Sequence, residues 1–121
     1  MNTKTILVIE DNKLNMKLVN GLVKIGKYRM LEAIDAESGI ELIRDQRPDL
    51  VLMDIQLPGI SGYETTRRIK ANPDLSGITI IAVTSYALSG DDAKAFEAGC
   101  DGYVAKPFSP RELLAKVREY V

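Results

Sequence analysis

The sequence predicts an α/β fold: five strands alternating with five helices around a parallel sheet, in a single domain spanning residues 1–121. Three observations predict it. Apolar runs recur at Thr5–Ile9, Leu50–Met53 and Thr79–Thr84, as expected of strands covered on both faces. Between them lie longer stretches with apolar residues at helical spacing. Gly26, Pro48, Pro73, Gly99 and Pro107 punctuate the series at the ends of these segments. Strict alternation of strand and helix implies right-handed crossovers, with helices on both faces of the sheet.

Each element has its own justification. Strand one, Thr5 to Ile9, ends in Glu10-Asp11-Asn12. Helix one then carries Leu14, Leu18 and Leu22 at four-residue spacing, with Val19 and Val23 beside them, and Gly26 is expected to stop it in the left-handed conformation. Strand two, about Tyr28 to Ala33, mixes in Arg29 and Glu32 and belongs at a sheet edge. Asp35 caps helix two, which carries Ile40 and Ile43 and must end before Pro48. Strand three is the central run Leu50-Val51-Leu52-Met53, closed by Asp54. Pro58 and Gly59 force a loop after it. Helix three runs from about Gly62 to Asn72. Strand four is Thr79 to Thr84, followed by a loop over Ser85–Ser89 and a helix four that Gly99 ends. Strand five, about Gly102 to Ala105, stops at Lys106-Pro107. Helix five has the clearest start. Ser109 and Glu112 have capping-box spacing, Pro110 takes the first helical position, and Phe108 and Leu113 are placed as a hydrophobic staple. Leu113, Leu114 and Val117 then face the core.

The totals exclude several functions. A chain of 121 residues is one domain, able to bury roughly two-thirds of its unfolded surface. Sixteen Lys+Arg against 17 Asp+Glu favour neither nucleic acid nor membrane as a partner. The single cysteine, Cys100, makes no internal disulfide, which fits a reducing, cytoplasmic setting. No apolar run approaches transmembrane length. There is no histidine, so His-based catalysis, a phosphohistidine carrier and a His-containing zinc site are all excluded.

The strand ends carry the chemistry. In a parallel sheet all carboxyl ends lie on one edge, where open α/β sheets bind ligands. Glu10 and Asp11 end strand one, Asp54 ends strand three, Thr84 ends strand four and Lys106 ends strand five. Three carboxylates brought together repel one another, which raises a pKa or draws in a cation. Oxygen ligands without Cys or His select a hard cation, most simply Mg²⁺, and Mg²⁺ commonly shares its coordination with phosphoryl oxygens. Positioning and charge neutralisation are most of what phosphoryl transfer requires. Asp54, central and beside a loop, is the candidate nucleophile for an acyl phosphate. Each residue also has an ordinary reading. Asp54 serves as a turn residue, Glu10-Asp11 as the negative cap of helix one, Lys106 as a surface lysine, and Tyr103 as half-buried sheet packing. Arg67, Arg68 and Lys70 read as a solvated helix face, and Cys100 as a small apolar packing residue.

Taken together these residues resemble the receiver domain of two-component response regulators, over the whole chain. The marks are Glu10-Asp11, Met53-Asp54 with Leu57-Pro58-Gly59 and Gly62, Thr84-Ser85, Gly99-Cys100-Asp101-Gly102-Tyr103, and Lys106-Pro107. Their order and spacing are specific, although each alone is weak. The start of helix one, Asp11-Asn12 with Asn15 and Leu18, is most similar to stand-alone single-domain receivers of the DivK type and to receivers attached to hybrid kinases.

The resemblance implies a flavodoxin-like (CheY-like) doubly wound (βα)5 fold, with a five-stranded parallel sheet in order 2-1-3-4-5. It implies that Asp54 accepts a phosphoryl group from a histidine kinase or histidine phosphotransfer protein. It implies Mg²⁺ held by Asp11, Asp54 and the Gln56 carbonyl, with Glu10 acting through water; many receivers have Asp where Glu10 stands. Thr84 and Lys106 are implied to hold the phosphoryl oxygens, Tyr103 to swing inward when Thr84 moves, and the Lys106-Pro107 bond to be cis. The expected output surface is helix four, strand five and helix five, with Tyr86 and Leu88 as contact residues and another protein as effector. Gln56 and Tyr86 are expected to tune water's access to the acyl phosphate, a bulky Tyr86 giving a lifetime of minutes or longer. Such a chain is a phosphoacceptor that assists its own phosphorylation and dephosphorylation, and not a classical enzyme. The rival enzymes carry Asp-x-Asp, after the nucleophile's strand in Mg²⁺ phosphatases and on one strand in toprim nucleases, whereas Gln56 stands two residues beyond Asp54. The remaining alternatives are a receiver excised from a larger kinase or regulator, and a phosphate-independent binding module.

Overall fold

The computed structural model describes residues 3–55, 57, 59–84, 91–105 and 109–121. Its elements are β1 (Thr5–Ile9), α1 (Lys13–Ile25), β2 (Arg29–Ala33), α2 (Ala36–Gln46), β3 (Leu50–Asp54), α3 (Gly62–Ala71), β4 (Thr79–Thr84), α4 (Asp91–Ala98), β5 (Gly102–Ala105) and α5 (Pro110–Arg118). All neighbouring strands pair in parallel, in the order β2-β1-β3-β4-β5. The mixed strand β2 lies at an edge, as its charges predict. Among the described residues no helix is long and apolar enough to cross a membrane.

The strands are apolar on both sides because both sides are covered. Ile6, Val8, Leu50, Leu52, Ile81 and Val83 pack with Met16, Val19, Leu22 and Val23 of α1 and Leu113 and Val117 of α5. The alternate residues Leu7, Ile9, Val51, Met53, Ile80 and Ala82 pack with Ile43 of α2, Ile69 of α3 and Ala95 of α4. The sheet is therefore doubly wound. Each fully buried Leu or Ile contributes about 1.5–3 kcal/mol of transfer free energy.

Helix starts follow the sequence signals. Asn12, Asp35, Ser61 and Ser109 each accept a backbone N–H three residues on. The Ser61 cap has the Ser-x-x-Glu spacing visible in the sequence, with Glu64 in the first turn of α3.

Three sequence expectations need correction. Lys70 is not on a solvated face: its side chain is 21% exposed and pairs with Asp101 at 3.2 Å. Leu14 and Leu18 do not face the core; they are 68% and 61% exposed. A four-residue step overshoots one 3.6-residue turn by about 40°, so a row of i, i+4 leucines winds off the buried face. The buried stripe is Met16, Val19, Leu22 and Val23. Gly26 is not left-handed either. Its φ is −73°, and Lys27 takes the positive φ of 64° instead. Gly26 is required for space: a Cβ there would stand 2.7 Å from the Tyr28 ring. Gly99, by contrast, has the left-handed φ of 109° expected where α4 ends.

Candidate functional site

β1 and β3 are neighbours, with Ile9 beside Met53. The residues one step further, Glu10 and Asp54, therefore share an edge of the sheet, and alternation turns both away from the Ile9/Met53 face. Asp54 pairs in turn with Val83, the residue before Thr84, and Thr84 pairs with Ala105. Four strand ends thus meet, as parallel topology requires.

Glu10, Asp11 and Asp54 each bring a carboxylate oxygen to within 4.8 Å of the others. Glu10 and Asp54 are only 4% and 5% exposed, while Asp11 is open to solvent. A Glu10 oxygen accepts the Asn12 N–H at 3.3 Å, which ties the buried acid to the start of α1. The Glu10 backbone N–H donates to Ala33 at 3.0 Å, extending the β1–β2 ladder beyond the strand. Two buried carboxylates and one exposed carboxylate, without nitrogen or sulfur donors, form a donor set suited to a hard divalent cation.

The loop after Asp54 is anchored at both ends. Ile55 donates to Val83 O at 3.1 Å, and Gly62 donates to Ile55 O at 3.0 Å. Gly59 makes the turn between them with φ 73°. Thr84 is buried at the end of β4. Tyr103 is half-buried on β5, and its ring meets that of Phe96 edge to face, with centroids 6.1 Å apart. Gln56, Tyr86, Leu88, Lys106 and the Lys106-Pro107 bond lie outside the described residues, as does Phe108 of the predicted staple. Sequence reasoning missed Phe96, because a lone phenylalanine on an amphipathic helix carries no signal until the fold sets it beside Tyr103. It also gave Gly62 no structural role.

The chain is similar to known proteins in sequence and in fold. The model of a family described as the response regulator receiver domain matches residues 6–118. The polar-differentiation response regulator DivK of Brucella anthropi is 38% identical over 118 residues, covering 98% of this chain and 96% of that protein. The receiver domain of a sensor histidine kinase of Pseudomonas aeruginosa, solved with a magnesium ion coordinated in its active-site cleft, is 34% identical with a TM-score of 0.90, over 98% of both chains. The chemotaxis protein CheY4 of Vibrio cholerae, at 18% identity and a TM-score of 0.92 over 99% of this chain and 100% of that one, shares the fold.

Proposed function

The chain belongs to the response regulator receiver domain family of two-component signalling, and from that premise we propose that Asp54 is its phosphoryl acceptor. The observation that carries this reading is the convergence of Glu10, Asp11 and Asp54 at one sheet edge. Residues 1–121 act as one receiver unit, and the donor is a histidine kinase or phosphotransfer protein.

In the transfer, an Asp54 carboxylate oxygen attacks the phosphorus of the donor's phosphohistidine. The P–N bond breaks, its electron pair stays on the imidazole, and an acyl phosphate forms on Asp54. The β3 strand end holds Asp54 almost out of solvent, so the attacking oxygen has few positions to search. Asp11, Asp54 and the Gln56 carbonyl would hold Mg²⁺, with Glu10 acting through water. When bound, that ion neutralises phosphoryl charge. Thr84 and Lys106 hold the phosphoryl oxygens on the far side.

The new charge biases a two-state element. Thr84 moves toward the phosphoryl group, Tyr103 swings inward, and the surface of α4, β5 and α5 changes for a protein effector. Tyr86 and Leu88 are read as contact residues of that surface, and unchanged binding of a Tyr86→Ala/Leu88→Ala variant to every partner would remove them from it. Gln56 and Tyr86 set the phosphate's lifetime, so Tyr86→Ala is expected to shorten it. A phosphoacceptor in a cytoplasmic relay needs no further catalytic group.

The deciding experiment is intact mass after incubation with Mg²⁺ and acetyl phosphate. One added phosphoryl group is expected, absent from Asp54→Ala and from a chelated sample. An adduct persisting in Asp54→Ala would overturn the assignment. No adduct even with a phosphorylated histidine phosphotransfer protein would favour phosphate-independent binding.

A further inference from the structure

We infer that Phe96 of α4 is the positioning residue for Tyr103, holding its ring in the half-exposed position and coupling it to α4. This rests on reading Tyr103 as the switch. Ala95, the neighbour of Phe96, is fully buried and fills the core, whereas Phe96 itself is 51% exposed and does not. What Phe96 touches is Tyr103. The rings meet at 87° with centroids 6.1 Å apart, the favoured edge-to-face arrangement.

The register gives the contact its consequence. Tyr103 pairs with Ala82, and two residues further along the same strands Ala105 pairs with Thr84. Side chains two apart share a face of the sheet, so Tyr103 and Thr84 lie on the same face, and within β5 itself only the methyl group of Ala105 stands between Tyr103 and the level of Thr84. A Tyr103 ring leaving Phe96 along β5 therefore meets no bulky side chain from its own strand before Thr84. Leaving forfeits the aromatic contact with Phe96 together with part of the ring's packing on the core beneath it. Conversely, a displacement of α4 that carries Phe96 away from Tyr103 removes this contact from the ring. Helix position and ring position are thus two readouts of one equilibrium.

The test measures the Tyr103 χ1 populations in the full-length chain from three-bond couplings. It is run on the free protein and with Mg²⁺ and beryllium fluoride, with fluoride binding followed by its own ¹⁹F signal. Phe96→Leu keeps an apolar side chain at an exposed site but removes the ring. It is expected to raise the inward-to-outward ratio of Tyr103 in the free protein roughly two- to tenfold. Phe96→Tyr keeps the ring and is expected to retain the wild-type ratio. An unchanged ratio in Phe96→Leu, or an equal shift in Phe96→Tyr, overturns the role of Phe96. A wild-type Tyr103 that keeps one position while fluoride is bound overturns the switch reading, and this proposal with it. The free-protein ratios decide Phe96 whether or not fluoride binds.

Discussion

A Cβ on Gly62 would stand 2.3 Å from the carbonyl oxygen of Asp54 and 2.7 Å from the Cα of Ile55. The first turn of α3 is therefore seated directly on the backbone that carries Asp54. Both obstructing atoms are main chain, so neither gives way cheaply. Gly62→Ala is expected to cost about 1–3 kcal/mol in urea unfolding, as overpacking does. Because the displaced atoms belong to Asp54 and its neighbour, the proposed phosphoryl uptake from acetyl phosphate should slow by roughly ten- to a hundredfold. A variant with wild-type stability and uptake would show that α3 does not set the position of Asp54.

The carboxylate cluster should make the fold respond to divalent cations. Glu10, Asp11 and Asp54 have oxygens within 4.8 Å of one another, and two of the three side chains are buried. A cation that binds only the folded state stabilises it by mass action. At a hundredfold excess over Kd the gain is about 2.7 kcal/mol. Thermal unfolding of the wild-type chain should shift upward with added Mg²⁺ and fall back with chelator. Asp54→Asn removes one charge with little change of shape. It is expected to lose most of the Mg²⁺ response. Identical Mg²⁺ responses in the two proteins would exclude Asp54 from the cation site.

Much of this was legible in the sequence, for reasons the residues make plain. Strands covered on both faces leave uninterrupted apolar runs, and β1, β3 and β4 are such runs. Polar residues that close those runs stand out, and parallel topology then brings Glu10, Asp11, Asp54 and Thr84 to one edge. Surface relationships were less legible. Leu14 and Leu18 fit a four-residue row as well as Leu22 does, and only packing distinguishes the face that α1 buries. Gly26 carried a helix-stop signal, yet its reason is the closeness of Tyr28 and Leu114, residues 2 and 88 positions away. Phe96 and Tyr103 come from different elements, so their contact has no local trace.

Cys100 gives a prediction with a definite sign. It is buried on α4's side of the sheet, with Sγ 3.7 Å from Thr66 Oγ1. Burial pushes its thiol up from the ordinary 9.0, only partly offset by the bond to Thr66; Asp101 adds to the rise and Lys70 opposes it. Above pH 9.0 the unfolded chain loses a thiol proton that the folded chain keeps. Folded stability must then decline as pH rises from that value through the raised one. Cys100→Ala is expected to be less stable at neutral pH, and the gap should narrow at alkaline pH. Denaturant midpoints at several pH values measure this. A gap that stays constant would mean that the thiolate is accommodated in the fold. Thiol reagents should likewise react only as the protein unfolds.

Asp101 explains why the run Gly99 to Tyr103 is so dense in specific residues. One Asp101 oxygen accepts the Ile80 N–H at 2.8 Å and the Lys70 ammonium at 3.2 Å. Lys70 also donates to the carbonyl oxygens of Ser76 and Ile78. The Asp101 carbonyl accepts the Tyr120 hydroxyl at 2.9 Å, and a Cβ on Gly102 would meet that hydroxyl at 2.7 Å. One residue therefore ties α3, the start of β4, the start of β5 and the chain beyond α5. Asp101→Ala leaves the Ile80 N–H and the Lys70 ammonium without this acceptor, while sparing the backbone bond to Tyr120. The expected cost is about 1–3 kcal/mol, with faster amide exchange at the β4–β5 edge. All these groups lie at the amino ends of the strands, opposite Asp54. Phosphoryl uptake per folded molecule should therefore stay within about twofold of wild type, since sites at opposite sheet edges with no shared partners behave additively. A large loss of uptake in fully folded Asp101→Ala would show that the two ends of the sheet are energetically coupled.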